Sequence, residues 1–582
     1  MKQHTKQERS SQSFLEGALI LVVATIIVKI IGVIFKIPIG RLLPTEGYGY
    51  FNIAYAMFTP LYSLSMAGLP VAVARMVSEN ATKGNYRDVK KILRISTAAF
   101  TITGAIGSLI MLFGARVYSE KIVETPEAFL SMICLAPAVF FCCMMSSRRG
   151  YYEGLKNMYP TAISQVIEAV VKLIMGLLLA WLVIFIGTSQ YQNSGTIFGT
   201  ICDSDDEANI IIASYASAAA ILGITLSTLF GAIYLHIRHL RSGDGITAQQ
   251  LATAPPAKSG KSILKSLGVI ALPVSLGTLA TTITSFIDSS SIVNRLKYVM
   301  EIDPQTITQM YPGIGTAATD IPDFIYGSYC YAISVFNLVP TITTAFAISA
   351  LPTVTSAWTL RNKDLTKKSI ESVLRITSLV ALPAGIGISV MAKPILQLLY
   401  PEKVLGVEIA APALSLLGIA VIFVALLGPI NSMLQAVGRA DIPVKLMLIG
   451  GGIKIVTNFI LVAIPSINVK GAPVGTILCY VFLFFASMLV LCKQINMVPN
   501  LKSTFLKPFA AAVFCGVAAV LSYMLLEMIM SDKLATVISI VFAVIIYAIC
   551  LLIFRAITKD DINMLPKGKK IVKILEKKGL IG

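Results

Sequence analysis

FLEGALILVVATIIVKIIGVIFKIPIGRLL, residues 14–43, is an apolar stretch carrying one acid and three cations. A helix of about 20 apolar residues spans a bilayer. Its apolar run, over roughly 14–38, is too long for the core of a secretory signal, so it reads as a retained membrane helix. Lys29 lies mid-way along it, Lys36 is seven residues further on the same face, and Arg41 stands near the far end. An ionisable side chain at the bilayer centre costs about 2.5–3.5 kcal/mol on insertion scales, so it ordinarily faces a cavity or a partner. Glu16, near the start of the run, suits the helix dipole and reads as structural.

Thirteen further runs follow: 50–74, 95–117, 128–146, 161–187, 210–235, 266–292, 324–350, 373–396, 408–432, 443–465, 471–491, 508–529 and 534–555. The chain is 56% hydrophobic and only 13% charged, against about 25% charged for a soluble domain. Its net charge of +18 follows from topology. The N-terminal tail and every second loop hold 35 of the 48 Lys and Arg, as cytoplasmic segments do. The expectation is an all-α protein of fourteen transmembrane helices, with both termini cytoplasmic, in a bacterial cell membrane. The basic balance is therefore not a nucleic-acid signal.

The nine cysteines show neither metal spacing nor a disulfide framework. The histidines are His4, His236 and His239, all in segments read as cytoplasmic. No phosphate-cradling glycine loop, paired-carboxylate site or Ser/His/Asp arrangement stands out. The reading is a non-enzyme without metal or cofactor.

The chain repeats itself. Leu69-Pro70 matches Leu351-Pro352, and Leu93-Arg94-Ile95-Ser96 matches Leu374-Arg375-Ile376-Thr377, both near one common offset. Six helices per repeat is an even number, so the two lobes share one orientation. The expected organisation is an N-lobe over 1–236, a basic linker over 237–264, a C-lobe over 265–492, an appended helix pair over 493–556 and a basic tail over 557–582. Proline inside a helix removes a hydrogen bond and tends to kink it. Pro70 and Pro352, at matching lobe positions, read as gating kinks.

The charges left inside the runs are the functional signal. On the seventh helix Asp288 and Arg295 share a face, and Asp288 reads as a lining residue of a central cavity with Lys29 and Lys36, or simply as a counter-ion for Lys29. Lys36, Arg41 and Arg295 either reach the outer headgroups or join Lys29 at a central cavity. Lys454 has no acidic residue near it in sequence and is a weaker cavity candidate. Glu168 and Lys172, four apart on the fifth run, read as a structural ion pair. A cavity with surplus positive charge suits an anionic ligand.

Arg148-Arg149-Gly150-Tyr151-Tyr152-Glu153-Gly154, Met158-Tyr159-Pro160-Thr161-Ala162, and Ser164-Gln165 with Glu168 resemble the loop between helices 4 and 5 of the multidrug/oligosaccharidyl-lipid/polysaccharide (MOP) exporter superfamily. Val28-Lys29-Ile30-Ile31-Gly32, Ala67-Gly68-Leu69-Pro70 and Gly438-Arg439-Ala440-Asp441-Ile442-Pro443 are similar to its polysaccharide-transport branch, near the stage V sporulation protein B and lipid II flippase groups. The resemblance implies two six-helix lobes in a V around a central cavity, and alternating access. It implies transfer of an undecaprenyl-diphosphate-linked saccharide, foremost a peptidoglycan precursor, to the outer leaflet. It also implies that Lys29 contacts the lipid diphosphate, as a point charge where the family often has the forked Arg. A teichoic-acid or capsule precursor, a cation-coupled drug antiport and a membrane scaffold recruiting cell-wall synthesis enzymes stand as alternatives. The partners expected are the lipid-linked oligosaccharide and membrane lipids, with the protein a monomer.

Overall fold

The computed structural model describes residues 14–317 and 320–556, and the basic tail at 557–582 lies outside them. The N-terminal half folds as α1 (Phe14–Leu42), α2 (Thr45–Ser63), α3 (Leu69–Thr82), α4 (Tyr86–Val117), α5 (Phe129–Gly154), α6 (Tyr159–Ser194) and α7 (Asp205–Ser242). A two-residue hairpin, β1 (Thr196–Ile197) with β2 (Thr200–Ile201), pairs antiparallel between α6 and α7. A connection holding α8 (Ala248–Thr253) leads to α9 (Gly260–Ile302). Then come α10 (Pro304–Met310), α11 (Ile314–Ala317), α12 (Ile321–Phe336), α13 (Leu338–Thr359), α14 (Lys363–Val390), α15 (Ala392–Leu399), α16 (Val404–Ala436), α17 (Asp441–Leu461), α18 (Gly471–Ile495), α19 (Lys507–Glu527) and α20 (Asp532–Ile553).

The protein is a multi-pass, mostly helical membrane protein. Twelve helices among the described residues are long and apolar enough to cross a bilayer, short of the fourteen runs read in the sequence. The two runs outside the twelve are the seventh, which folds as α9, and the eighth, which is divided between α12 and α13. The eighth run breaks at Asn337 because Pro340 has no N–H to give the Phe336 carbonyl. One turn on, Thr344 Oγ1 donates to the Pro340 carbonyl at 2.8 Å. The break matters, since it sets Asn337 and Thr341 beside α1.

The second run is one helix interrupted by a π-helical turn at Leu64–Gly68, immediately before Pro70. A π turn widens the helix and frees carbonyls for other donors. Ser275 Oγ on α9 donates to the Leu64 carbonyl at 3.2 Å, and Ser146 Oγ on α5 to that of Ser65 at 2.5 Å. The irregular turn is thereby tied to both halves of the molecule. Pro352 falls inside α13, with its side chain outside the described residues.

The segment linking the halves lies against α4. Arg87 donates to the Leu251 carbonyl at 2.9 Å, and the Lys258 amide donates to Asp88 Oδ1 at 2.7 Å. The appended pair α19 and α20 packs on α14, where Tyr547 Oη donates to the Leu379 carbonyl at 2.9 Å.

A candidate anion chamber on the first helix

Lys29 and Lys36 are two turns apart, so the 3.6-residue period puts both on one side of α1. That side faces a polar chamber of ≈ 220 Å³ whose lining includes both lysines, Asn52, Tyr55, Lys172, Ser334, Asn337 and Thr341. A second chamber of ≈ 300 Å³ shares Lys29, Tyr55 and Lys172 and adds Tyr62, Arg149, Gln165, Glu168 and Thr228. A third, of ≈ 560 Å³, is lined almost wholly by apolar groups, among them Ile26, Ile30, Ile34, Leu338, Ile342 and Phe346. Lys29 lines all three. Ile26, Ile30 and Ile34 are all exposed, so the third chamber opens at the apolar surface between α1 and α13.

The packing of α6 explains how Lys172 arrives there. A side chain on Gly223 of α7 would overlap the Gly176 backbone, so the two helices meet at bare backbone. Phe35 fills the space beside Gly176 and is 3% exposed. The Lys172 ammonium stands 5.6 Å from the centre of the Phe35 ring, a cation–π contact. Lys29 Nζ donates to the Thr341 carbonyl at a long 3.4 Å.

Glu168, read as the partner of Lys172, instead accepts from Arg149 Nη2 at 2.9 Å, while Arg149 Nε donates to Ser164 Oγ at 2.9 Å. The forked guanidinium meets both acceptors at once, which an ammonium four residues away cannot match. Glu168 is the one carboxylate lining either polar chamber among the described residues, and this pairing commits it. Among the described residues, the ammonium groups of Lys29, Lys36 and Lys172 line these neighbouring chambers without a carboxylate in direct contact.

Asp288 is not the counter-ion of Lys29. It sits 2.6 Å from Lys454 Nζ and accepts from Asn458 Nδ2 at 3.2 Å. Lys454 is 3% exposed and does have an acidic partner, between α9 and α17 and away from the three chambers. Removing one member of a buried pair strands the other charge, at a cost of about 3–5 kcal/mol. Asp288→Ala is expected to lower the unfolding temperature in detergent sharply, and adding Lys454→Met is expected to recover much of the loss. Equal stability of Asp288→Ala and the parent would mean that the pair carries no such weight.

Arg295 and Arg41 are also placed elsewhere. Arg295 lies between the Tyr298 and Phe459 rings, 4.9 and 4.7 Å from their centres. Arg41 donates to the carbonyls of Leu398, at 3.0 Å, and Leu399. Those are orphan acceptors at the C-terminus of α15, where a cation is favoured. Lys172 and Arg149 are thus the cavity residues that sequence reasoning cast otherwise or left out.

At the end away from the basic loops, where the alternate loops carry more acidic than basic residues, the two halves close over the chambers. Tyr48 and Ser334 share a 2.6 Å hydrogen bond, and Tyr331 Oη donates to Thr45 Oγ1 at 3.2 Å. Tyr48 stacks on Tyr331 at 5.3 Å, and Tyr331 meets Tyr400 at 4.5 Å. Lys403 Nζ donates to the Leu43 carbonyl at 2.9 Å.

Two family models match this chain: "Polysaccharide biosynthesis protein" over residues 14–202 and "Lipid II flippase MurJ" over residues 326–559. The chain is 25% identical to stage V sporulation protein B of Bacillus subtilis, over 96% of its own length and 98% of the relative's. It is also 25% identical to the lipid II flippase MurJ of the same organism, over 81% of each. Its fold matches a solved inward closed conformation of a lipid II flippase MurJ with a TM-score of 0.60, covering 92% of this chain and 98% of the other at 14% identity. The MurJ relatives are flippases, not enzymes. With models matching in both halves, relatives aligned nearly end to end and a shared fold, the chain is similar throughout to polysaccharide biosynthesis proteins and lipid-linked flippases of the MurJ and stage V sporulation protein B kind.

Proposed function

We propose that this protein flips an undecaprenyl-diphosphate-linked saccharide, foremost the peptidoglycan precursor lipid II, from the cytoplasmic to the outer leaflet by alternating access. The observation that carries this reading is the trio Lys29, Lys36 and Lys172 around one polar space, with Lys29 also at the mouth of an apolar opening. A diphosphate supplies the negative charge that the trio lacks. A polyprenyl chain fits the apolar opening between α1 and α13 while the sugar occupies the polar chambers. The basic loops set both termini in the cytoplasm. An inside-negative potential then favours outward movement of an anion, by about 2.3 kcal/mol per charge per 100 mV. Drug–cation antiport is disfavoured because Glu168 and Asp288 are both committed to cations.

The test is direct. Depletion in cells is expected to make one lipid-linked precursor accumulate on the cytoplasmic side, and its saccharide identifies the substrate. Purified protein in liposomes is expected to move that same species. Accumulation of a teichoic-acid or capsule precursor would overturn lipid II as the substrate. Failure to bind or move any lipid-linked saccharide would overturn the flippase reading.

A further inference from the structure

Arg148 belongs to the Arg-Arg-Gly-Tyr-Tyr segment but not to the chamber that its neighbour Arg149 lines. It sits near the end of α5, is 8% exposed, and leaves Nη1 buried without any hydrogen-bond partner. Its Nη2 lies 2.7 Å from Nδ1 of His236 on α7. A guanidinium only donates, so His236 Nδ1 is the acceptor there, and an imidazole supplies no anionic oxygen. Arg238, two residues further along α7, likewise has a buried Nη1 with no partner. Both guanidiniums lie within electrostatic reach of the buried Tyr152. Buried polar groups are nearly always satisfied, so two orphan guanidinium donors at one place mark a missing acceptor.

Neighbouring acids do not supply it. Asp244 accepts from Tyr151 at 2.6 Å and pairs with Lys90. Burial pushes the Asp244 carboxyl up, but the hydrogen bonds from Lys90 and Tyr151 outweigh that and hold it below its ordinary value. Glu168 is held by Arg149. The outer face of α7 beside the cluster presents Ile233, Ile237 and Leu240 at i, i+4 and i+7, exposed by 43%, 43% and 71%. An anion reaching the two arginines along that face would leave acyl chains lying on this strip. The loops at this end are those that the charge pattern assigns to the cytoplasm, where anionic lipids are recognised by basic pockets between helices.

We infer that Arg148 and Arg238 form a binding site for the phosphate of an anionic membrane lipid at the basic end of the N-terminal half, separate from the central chambers. Two forked donors match the geometry of a phosphate. The experiment is thermal unfolding of the full-length protein in detergent, titrated with phosphatidylglycerol, phosphatidylcholine or inorganic phosphate. Phosphatidylglycerol is expected to raise the midpoint, and the other two are not. In Arg148→Gln/Arg238→Gln the phosphatidylglycerol needed for half the effect should rise at least about tenfold, the loss of one charge-assisted hydrogen bond. In Lys29→Ala it should not change. Should the double variant fail to fold, Arg238→Gln alone, at the more accessible position, must still weaken the response severalfold. An undiminished response in the arginine variants overturns the site. A response lost in Lys29→Ala assigns the lipid to the chambers and overturns it equally. Full stabilisation by inorganic phosphate overturns the lipid as ligand.

Discussion

Lys29→Ala is expected to abolish transport while leaving the protein folded and in the membrane. Lys29 is the one side chain common to the two polar chambers and the apolar opening. Its hydrogen bond to the Thr341 carbonyl is long, at 3.4 Å, so little of the fold depends on it. A charge-assisted contact to phosphate is worth about 1.5–3 kcal/mol, which is roughly 10- to 150-fold in affinity. Lys172→Ala should cost less, because the ammonium is already partly satisfied by the Phe35 ring. The double variant should lose more than either single one, and Lys29→Arg should retain transport. The measurement is translocation of the lipid-linked substrate in liposomes, with binding read separately. Normal transport by Lys29→Ala would remove the chamber from the substrate path. A loss confined to expression or unfolding temperature would make Lys29 a structural residue.

How much of this was readable beforehand follows from where the forces act. Runs of apolar residues and the seven-residue spacing of Lys29 and Lys36 are local properties of one helix, and they are legible without neighbours. Ion pairing is not. Asp288 and Lys454 lie 166 positions apart, and only the packing of α9 against α17 brings them within 2.6 Å. Glu168 shows the converse error. The four-residue rule favours Lys172, but Arg149 comes from another helix with two donors and takes the acid. Freed of Glu168, Lys172 becomes a cavity charge, so one mispairing in the sequence hid a member of the site. The eighth run carries a local signal whose consequence is not local. Pro340 announces a break, yet only the backbone shows that the break delivers Asn337 and Thr341 to the chamber.

Gly327→Ala is expected to open the end that the structure shows closed. Gly327 on α12 faces the start of α2 so closely that an added Cβ would overlap the Thr45 carbonyl oxygen. That atom is backbone and cannot swing aside as a side chain could. The same stretch of seam carries the Tyr48–Ser334 and Tyr331–Thr45 bonds and the stacked tyrosines. Overpacking a close contact costs about 1–3 kcal/mol, and a bias of that size shifts a two-state equilibrium by about 5- to 150-fold. The cost falls only on the conformer in which α2 and α12 touch. Alternating access needs that conformer in every cycle, so transport should fall although no chamber residue has changed. The readout is Asn337→Cys, placed at the chamber wall, and its reaction with an impermeant thiol reagent added on the acidic-loop side. Labelling should be faster with Gly327→Ala than without it. Tyr48→Phe, which gives up one hydrogen bond worth about 1 kcal/mol, should shift labelling the same way by less. Unchanged labelling and unchanged transport with Gly327→Ala would mean that the tyrosine seam is static packing and that the chambers open elsewhere. Faster labelling with undiminished transport would mean that closure at this end does not limit the cycle. The combination of faster labelling and slower transport arises only if the seam must both part and re-form, which is what a gate does.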